Sequence, residues 1–322
     1  MRSLLLSLLA CCLVTSICTT FAFGAADAEK KKVLFIAGGP SHGFGAHDHL
    51  AGCNLLANKL KEAKPVYETL VSKDWPADAK MLDGVDAIVI YCDGGPRHLA
   101  LKHIREIEKL TRKGVGVGMI HYAVEVPEDE GGEYWLKWIG GYFLINKSVN
   151  PHWTATFDKL PQHDVTRGVK PFTTTDEWYF NMQFRDGMKG VTPILTAVPP
   201  DKARSGKDDA HGGNPEVRAQ IGKNHPEHVL WVSENEGGSR GFGLTGAHFH
   251  VNWAQDDFRK VVLNSVVWIA RGEIPANGIE TKRPTVDEML ANHDEPIPPK
   301  FDKDAMAKQM EEINRPFKAT EK

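Results

Sequence analysis

Val33-Leu34-Phe35-Ile36-Ala37-Gly38-Gly39-Pro40 is a run of apolar residues closed by a turn signal, and its reading decides the fold. A short apolar run without alternation predicts a strand buried on both faces, the habit of parallel sheets. The same pattern returns at residues 87–92, Ala-Ile-Val-Ile-Tyr-Cys, closed by Gly94-Gly95-Pro96, and at residues 115–120, which run into His121. Residues 66–71 supply another strand. Amphipathic stretches intervene at 50–63, with Leu55, Leu56 and Leu60 on one face, and at 99–112, with Ile104, Ile107 and Leu110 turned inward. This order predicts a doubly wound α/β sheet, mostly parallel. Open sheets of that kind bind ligands beyond the carboxyl ends of their strands, which is where His42, Asp93, Arg97 and His121 fall.

The middle of the chain is less regular. Strands are predicted at 152–157, 177–184, 192–197 and 228–233, a short helix at 134–139, and a mobile polar loop at 203–214. A last strand at 241–250 leads into an amphipathic helix at 256–271 carrying Phe258, Val262, Val266 and Ile269. The α/β domain therefore spans 32–272. Residues 273–322, rich in proline and charge, read as an extended tail on its surface, with one helical stretch at 302–314.

Composition narrows the function. Lys+Arg 39 against Asp+Glu 42 leaves the 322-residue chain with a formal net charge of -3, so nothing argues for nucleic acid as a partner. Residues 1–24 have the form of a secretory signal peptide: Arg2, an apolar core, then Ala22-Phe23-Gly24 as a small-x-small cleavage site. The expectation is an exported protein, periplasmic or extracellular, with no membrane span once that segment is removed. Cys11, Cys12 and Cys18 leave with it. Cys53 and Cys92, on different elements, are expected as two free, half-buried thiols.

Four segments carry a resemblance: Ser41-His42-Gly43, Gly118-Met119-Ile120-His121-Tyr122-Ala123, Asp176-Glu177-Trp178-Tyr179, and the closing Gly246 to Trp253 stretch with its helix. Their order resembles the ThuA-like (trehalose utilisation) family, a branch of the class I glutamine amidotransferase-like fold. The resemblance implies a flavodoxin-like three-layer sandwich and a link to carbohydrate catabolism, in particular to 3-keto glycosides. The amidotransferases carry Gly-x-Cys-x-Gly where His121 stands, and Phe-His-Pro-Glu where Phe249-His250-Val251-Asn252 stands. Without the thiolate, glutamine hydrolysis is not expected.

Several histidines remain to be explained. One role is a divalent metal, zinc, manganese or iron, for which His42, His47 and His49 are the first choice, with His121, His248, His250, Asp48 and Glu177 as further ligands. The other is acid–base work on a sugar, since imidazole exchanges protons near neutrality. His121 and His250 would form that pair, with Glu177 as a further acid or base. His42, Asp93, Arg97, Tyr179 and Asn252 would then hold substrate, and Trp178 and Trp253 would stack on sugar rings. If 241–250 is a strand, His248 and His250 face opposite ways, and His248 takes the packing role. His98 and His103 read as surface residues, and Asp48 either caps the next helix or serves function. Three functions stay open: a lyase or hydrolase of keto glycosides, a non-catalytic sugar-binding module, and a metal-dependent hydrolase of another small molecule. In each the partner is a small molecule, a carbohydrate in the first two; oligomeric state is not fixed by the sequence.

Overall fold

A computed structural model describes residues 30–317; the expected signal peptide lies outside the described residues. The strands of the first half are β1 (Lys31–Ala37), β2 (Tyr67–Lys73), β3 (Ala87–Tyr91) and β4 (Gly116–Ile120). Those of the second half are β5 (Gly141–Tyr142), β6 (His152–Phe157), β7 (Phe172–Glu177), β8 (Gln183–Phe184), β9 (Val191–Ala197), β10 (Glu227–Glu234) and β11 (Arg240–Leu244). Seven of them form one sheet in the order β2-β1-β3-β4-β11-β10-β9. The pairs from β2 through to β11 are parallel, while β10 runs antiparallel to both its neighbours. This is the mostly parallel α/β sandwich that the apolar runs predict.

Burial on both faces is visible within β1. Val33, Phe35 and Ala37 join one core with helices α1 (His49–Ala63) and α6 (Asp256–Ile269). Leu34 and Ile36 join the other with α2 (Ile104–Arg112) and α3 (Glu133–Trp138). Three layers follow, and every residue from 33 to 37 is fully buried. Cys53 and Cys92 are both free; they are buried rather than half-buried.

The second half departs from expectation in instructive ways. Strand β7 ends at Glu177, because it pairs with β6 as a separate hairpin laid against the α1–α6 face. The last sheet strand stops at Leu244, and Ala247 adopts φ 82°, which no strand residue can hold. The 203–214 segment is tied down: Asn146 donates its backbone N–H to Ala210 O at 2.8 Å and Asn150 to His211 O at 3.0 Å. It is flanked by the short helices α4 (Asp201–Arg204) and α5 (Pro215–Arg218).

The chain after Gly272 is a strap rather than a loose tail. Helices α7 (Val286–Met289) and α8 (Lys303–Glu312) bury Met289 and Met310 against the domain. The strap also reaches the His-rich loop: His293 Nδ1 lies 2.8 Å from Asp48 Oδ1, and Phe44 packs on His293 at 4.5 Å between ring centroids. Asp48 does not cap α1 with its side chain; it accepts from Gly45 N and faces the strap. Among the described residues no helix is long and apolar enough to cross a membrane.

Candidate metal centre

The loop after β1 delivers His47, the end of β4 delivers His121, the end of β7 delivers Glu177, and the loop after β11 delivers His248. One ligand atom from each of these four residues lies within 4.8 Å of the other three. His47 Nε2 is 3.0 Å from His121 Nε2 and 3.1 Å from His248 Nδ1. Glu177 Oε2 is 3.1 Å from His248 Nδ1 and 3.4 Å from His121 Nε2. All three imidazoles are buried.

Backbone conformation marks the same place. His47 (φ 50°) and His121 (φ 56°) occupy the left-handed region, as does Ala247 beside His248. Such a position costs a non-glycine residue about 1–3 kcal/mol and persists only where its surroundings enforce it. At His121 the bend turns the chain at the end of β4.

The outward nitrogens fix the tautomers. His121 Nδ1 lies 2.8 Å from Thr245 O, a carbonyl that can only accept, so that nitrogen carries the hydrogen. His47 Nδ1 lies 2.8 Å from Asp93 Oδ1, so it too is the N–H side. The inward Nε2 atoms of both rings face one another, with Glu177 Oε2 beside that of His121. Tyr179 Oη sits 3.1 Å from His121 Nε2 and can offer one hydrogen, and His248 can offer another. A carboxylate or carbonyl behind each ligating imidazole is the usual support of a metal-bound histidine.

Charge is distributed to match. Burial pulls the His47 imidazole down to about 3, against the opposing pull of Asp93, so the ring stays neutral and able to ligate. Burial disfavours charge on Asp93, yet hydrogen bonds from His47 and Ser41 outweigh it and hold the carboxyl at about 2. For Glu177, burial is again opposed, here by the imidazoles of His121 and His248, which keep it well below the usual carboxylate range.

A single buried carboxylate positions His248. Asp176, fully buried, accepts backbone N–H groups from Ala247 at 2.6 Å and His248 at 3.0 Å, and from Asn252 Nδ2 at 3.0 Å. Gly246 lies flat on the Trp178 ring, where any Cβ would collide with it. That loop, rather than a strand, presents His248.

The expected site residues sort accordingly. His121, Glu177, His47 and Tyr179 converge, with Asp93 behind His47. His250 does not: its Nε2 meets Met289 O at 3.1 Å, its ring packs on His293, and burial lowers its pKa to about 4. His248 takes the inward place instead, since the chain there is a loop and strand alternation does not apply. His49 turns to Gly39 O at 3.0 Å, and His42 is exposed, its ring 3.7 Å from that of His47 and its Nδ1 2.9 Å from Ser41 Oγ. His42 shares only a shallower grouping with His47 and Asp93. Asn252 braces Asp176, and Trp178 and Trp253 are wholly buried, so neither ring offers a face to sugar. Arg97 is exposed and makes no hydrogen bond or ion pair among the described residues. His98 is not a surface residue; it is buried, with Nε2 3.0 Å from Ala123 O.

Sequence reasoning passed over His152, Asn150 and the His211–Glu125 pair. His152 pairs with Glu177 across the hairpin, Asn150 Nδ2 donates to Glu177 Oε1 at 3.1 Å, and His211 Nε2 is 3.0 Å from Glu125 Oε1. The exposed alternation at 152, 154 and 156 carried the signal for His152.

The family model described as trehalose utilisation, ThuA, matches residues 32–269. The chain belongs to the ThuA family. This is a carbohydrate-utilisation family, and a solved ThuA-like protein shares the architecture. A ThuA-like protein from Bacteroides uniformis ATCC 8492 aligns with TM-score 0.54 at 17% identity, covering 77% of this chain and 95% of that one. Another from Parabacteroides merdae ATCC 43184 aligns with TM-score 0.49 at 14% identity, covering 79% and 98%. At such identities the likeness speaks for the fold alone. No curated protein matches the sequence.

Proposed function

We propose that this ThuA-family protein is an exported, metal-dependent enzyme that performs acid–base chemistry on a carbohydrate, with a keto glycoside as substrate and hydrolysis or elimination as reaction. The observation that carries the reading is the convergence of three buried imidazole nitrogens and one carboxylate oxygen, all within 4.8 Å of one another. One cation at that point would be shared by all four donors. His47 Nε2, His121 Nε2, His248 Nδ1 and Glu177 Oε2 would hold it, a donor set suited to zinc, manganese or iron. Such an ion supplies Lewis-acid polarisation of a substrate carbonyl or hydroxyl.

The chain's own groups do the rest. His121, pinned by the Thr245 carbonyl, holds rather than shuttles protons. Acid–base duty passes to the exposed imidazoles of His42 and His152, which stand beside His47 and Glu177 at the open side of the centre. Burial raises the Tyr179 phenol well above its ordinary pKa, so it keeps its hydrogen and acts as a donor. Elemental analysis of protein purified without metal resin tests the reading, with about one metal per chain expected. Full turnover of a 3-keto glucoside by metal-free protein would sink it. Sugar binding with no turnover in any metal state supports the binding-module reading instead. Export is tested separately, by whether protein recovered outside the cytoplasm begins after residue 24.

A further inference from the structure

The exposed face of the β6–β7 hairpin runs away from the metal centre as a ladder of facing pairs: His152 with Glu177, Thr154 with Thr175, Thr156 with Thr173. At about 3.4 Å per residue, Thr175 stands about 7 Å and Thr173 about 14 Å from Glu177 along the strand. Over this stretch opens a cavity of about 720 Å³, with Thr154, Thr173 and Thr175 in its floor and α8 across it. Phe249 forms the wall shared with the centre: its ring packs edge-on against His248 at 4.7 Å and against His152 at 5.2 Å. Phe44 and Phe301 complete the aromatic lining, both half-buried like Phe249.

We infer that this chamber is the subsite for the part of the substrate that departs, a second sugar ring or other hydroxylated aglycone. The inference rests on the proposed function for its chemistry, but its geometry is independent. A sugar ring has apolar C–H faces and a hydroxyl rim. The chamber offers three phenylalanine rings for the former and threonine hydroxyls with the Gln309 amide for the latter. Its volume falls in the range of small-molecule sites. A disaccharide with one ring at Glu177 reaches Thr175 and beyond; a monosaccharide does not.

The experiment uses full-length protein whose metal content is measured first, with trehalose and glucose, then their 3-keto forms, titrated by ligand-observed NMR. The ratio of disaccharide to monosaccharide affinity is the readout. The wild type is expected to favour the disaccharide, and Ala305→Trp, an exposed α8 position whose new ring fills the chamber, is expected to cut that ratio tenfold or more. Thr175→Val, which keeps the shape and removes one hydroxyl, should lower it a few-fold. A wild-type ratio near unity, or a ratio untouched by Ala305→Trp, overturns the subsite even when the metal is present. Protein that holds no metal refutes the proposed function, while the same ratio still judges the chamber.

Discussion

The centre is built from two unlike halves. His47 and His121 stand at the carboxyl edge of the parallel sheet, His121 at the very end of β4 and His47 in the loop after β1, where Asp93 and the His248 carbonyl hold it. Glu177 and His248 come from a separate hairpin and an irregular loop, joined by the Asp176 carboxylate and the amides it collects. The sheet edge carries one half; a polar knot holds the other. The lesson is that a repetitive scaffold can supply half of a site cheaply, while the complementary half needs a specific buried charge.

That contrast can be broken or sharpened by mutation. The largest effect is expected from removing a ligand of either half. His121→Ala and Glu177→Ala should each lose metal by a hundredfold or more in affinity, read by competition with a chelating dye; retention in either variant removes that half from the centre. Asp176→Asn comes next. It sets an amide against several N–H donors and should cost about 3 kcal/mol of stability in urea titrations, because one partner of a buried charged network is lost. It should also weaken the metal through His248, and intact stability would mean that the loop is held otherwise. Asp93→Asn, behind His47, should reduce metal affinity roughly 10–100-fold with little change in urea midpoint, the behaviour of an outer support. An equally large stability loss there would erase the difference between the halves.

The smallest effect at neutral pH concerns a residue outside both halves. Burial holds the His98 imidazole at about 4, below its ordinary 6.5. The folded state thus favours the neutral ring; its contribution is full above about 6.5 and is lost as pH falls toward 4. Below pH 6.5, His98→Gln should flatten the acid limb of metal-free protein by up to about one proton, roughly 1.4 kcal/mol per pH unit. An unchanged slope would mean that the ring is protonated within the fold.

How much of this could be read beforehand follows the same division. The runs at 33–37, 87–92 and 115–120 are strands because residues buried on both faces leave an unmistakable apolar record. His121 was legible because it ends such a run. His248 was not, since the left-handed turn at Ala247 depends on Asp176, some seventy residues away, and local periodicity carries no trace of it. The same blindness assigned Trp178 and Trp253 to sugar: polar neighbours in sequence hid the fact that both rings point into the core. Glu177 could be named as a residue type, but its pairing with three histidines is a tertiary fact.

The strap that carries His293 has a bearing on how firmly the His-rich loop is held. Asp48 and Phe44, on the loop that bears His47, rest against His293, far along the chain. Without that stretch the loop would keep its bonds to Asp93 and to the 248–250 segment but lose its outer brace. A polypeptide shortened before residue 293 should keep its sheet and hold residues 43–48 more loosely, read as faster amide exchange there.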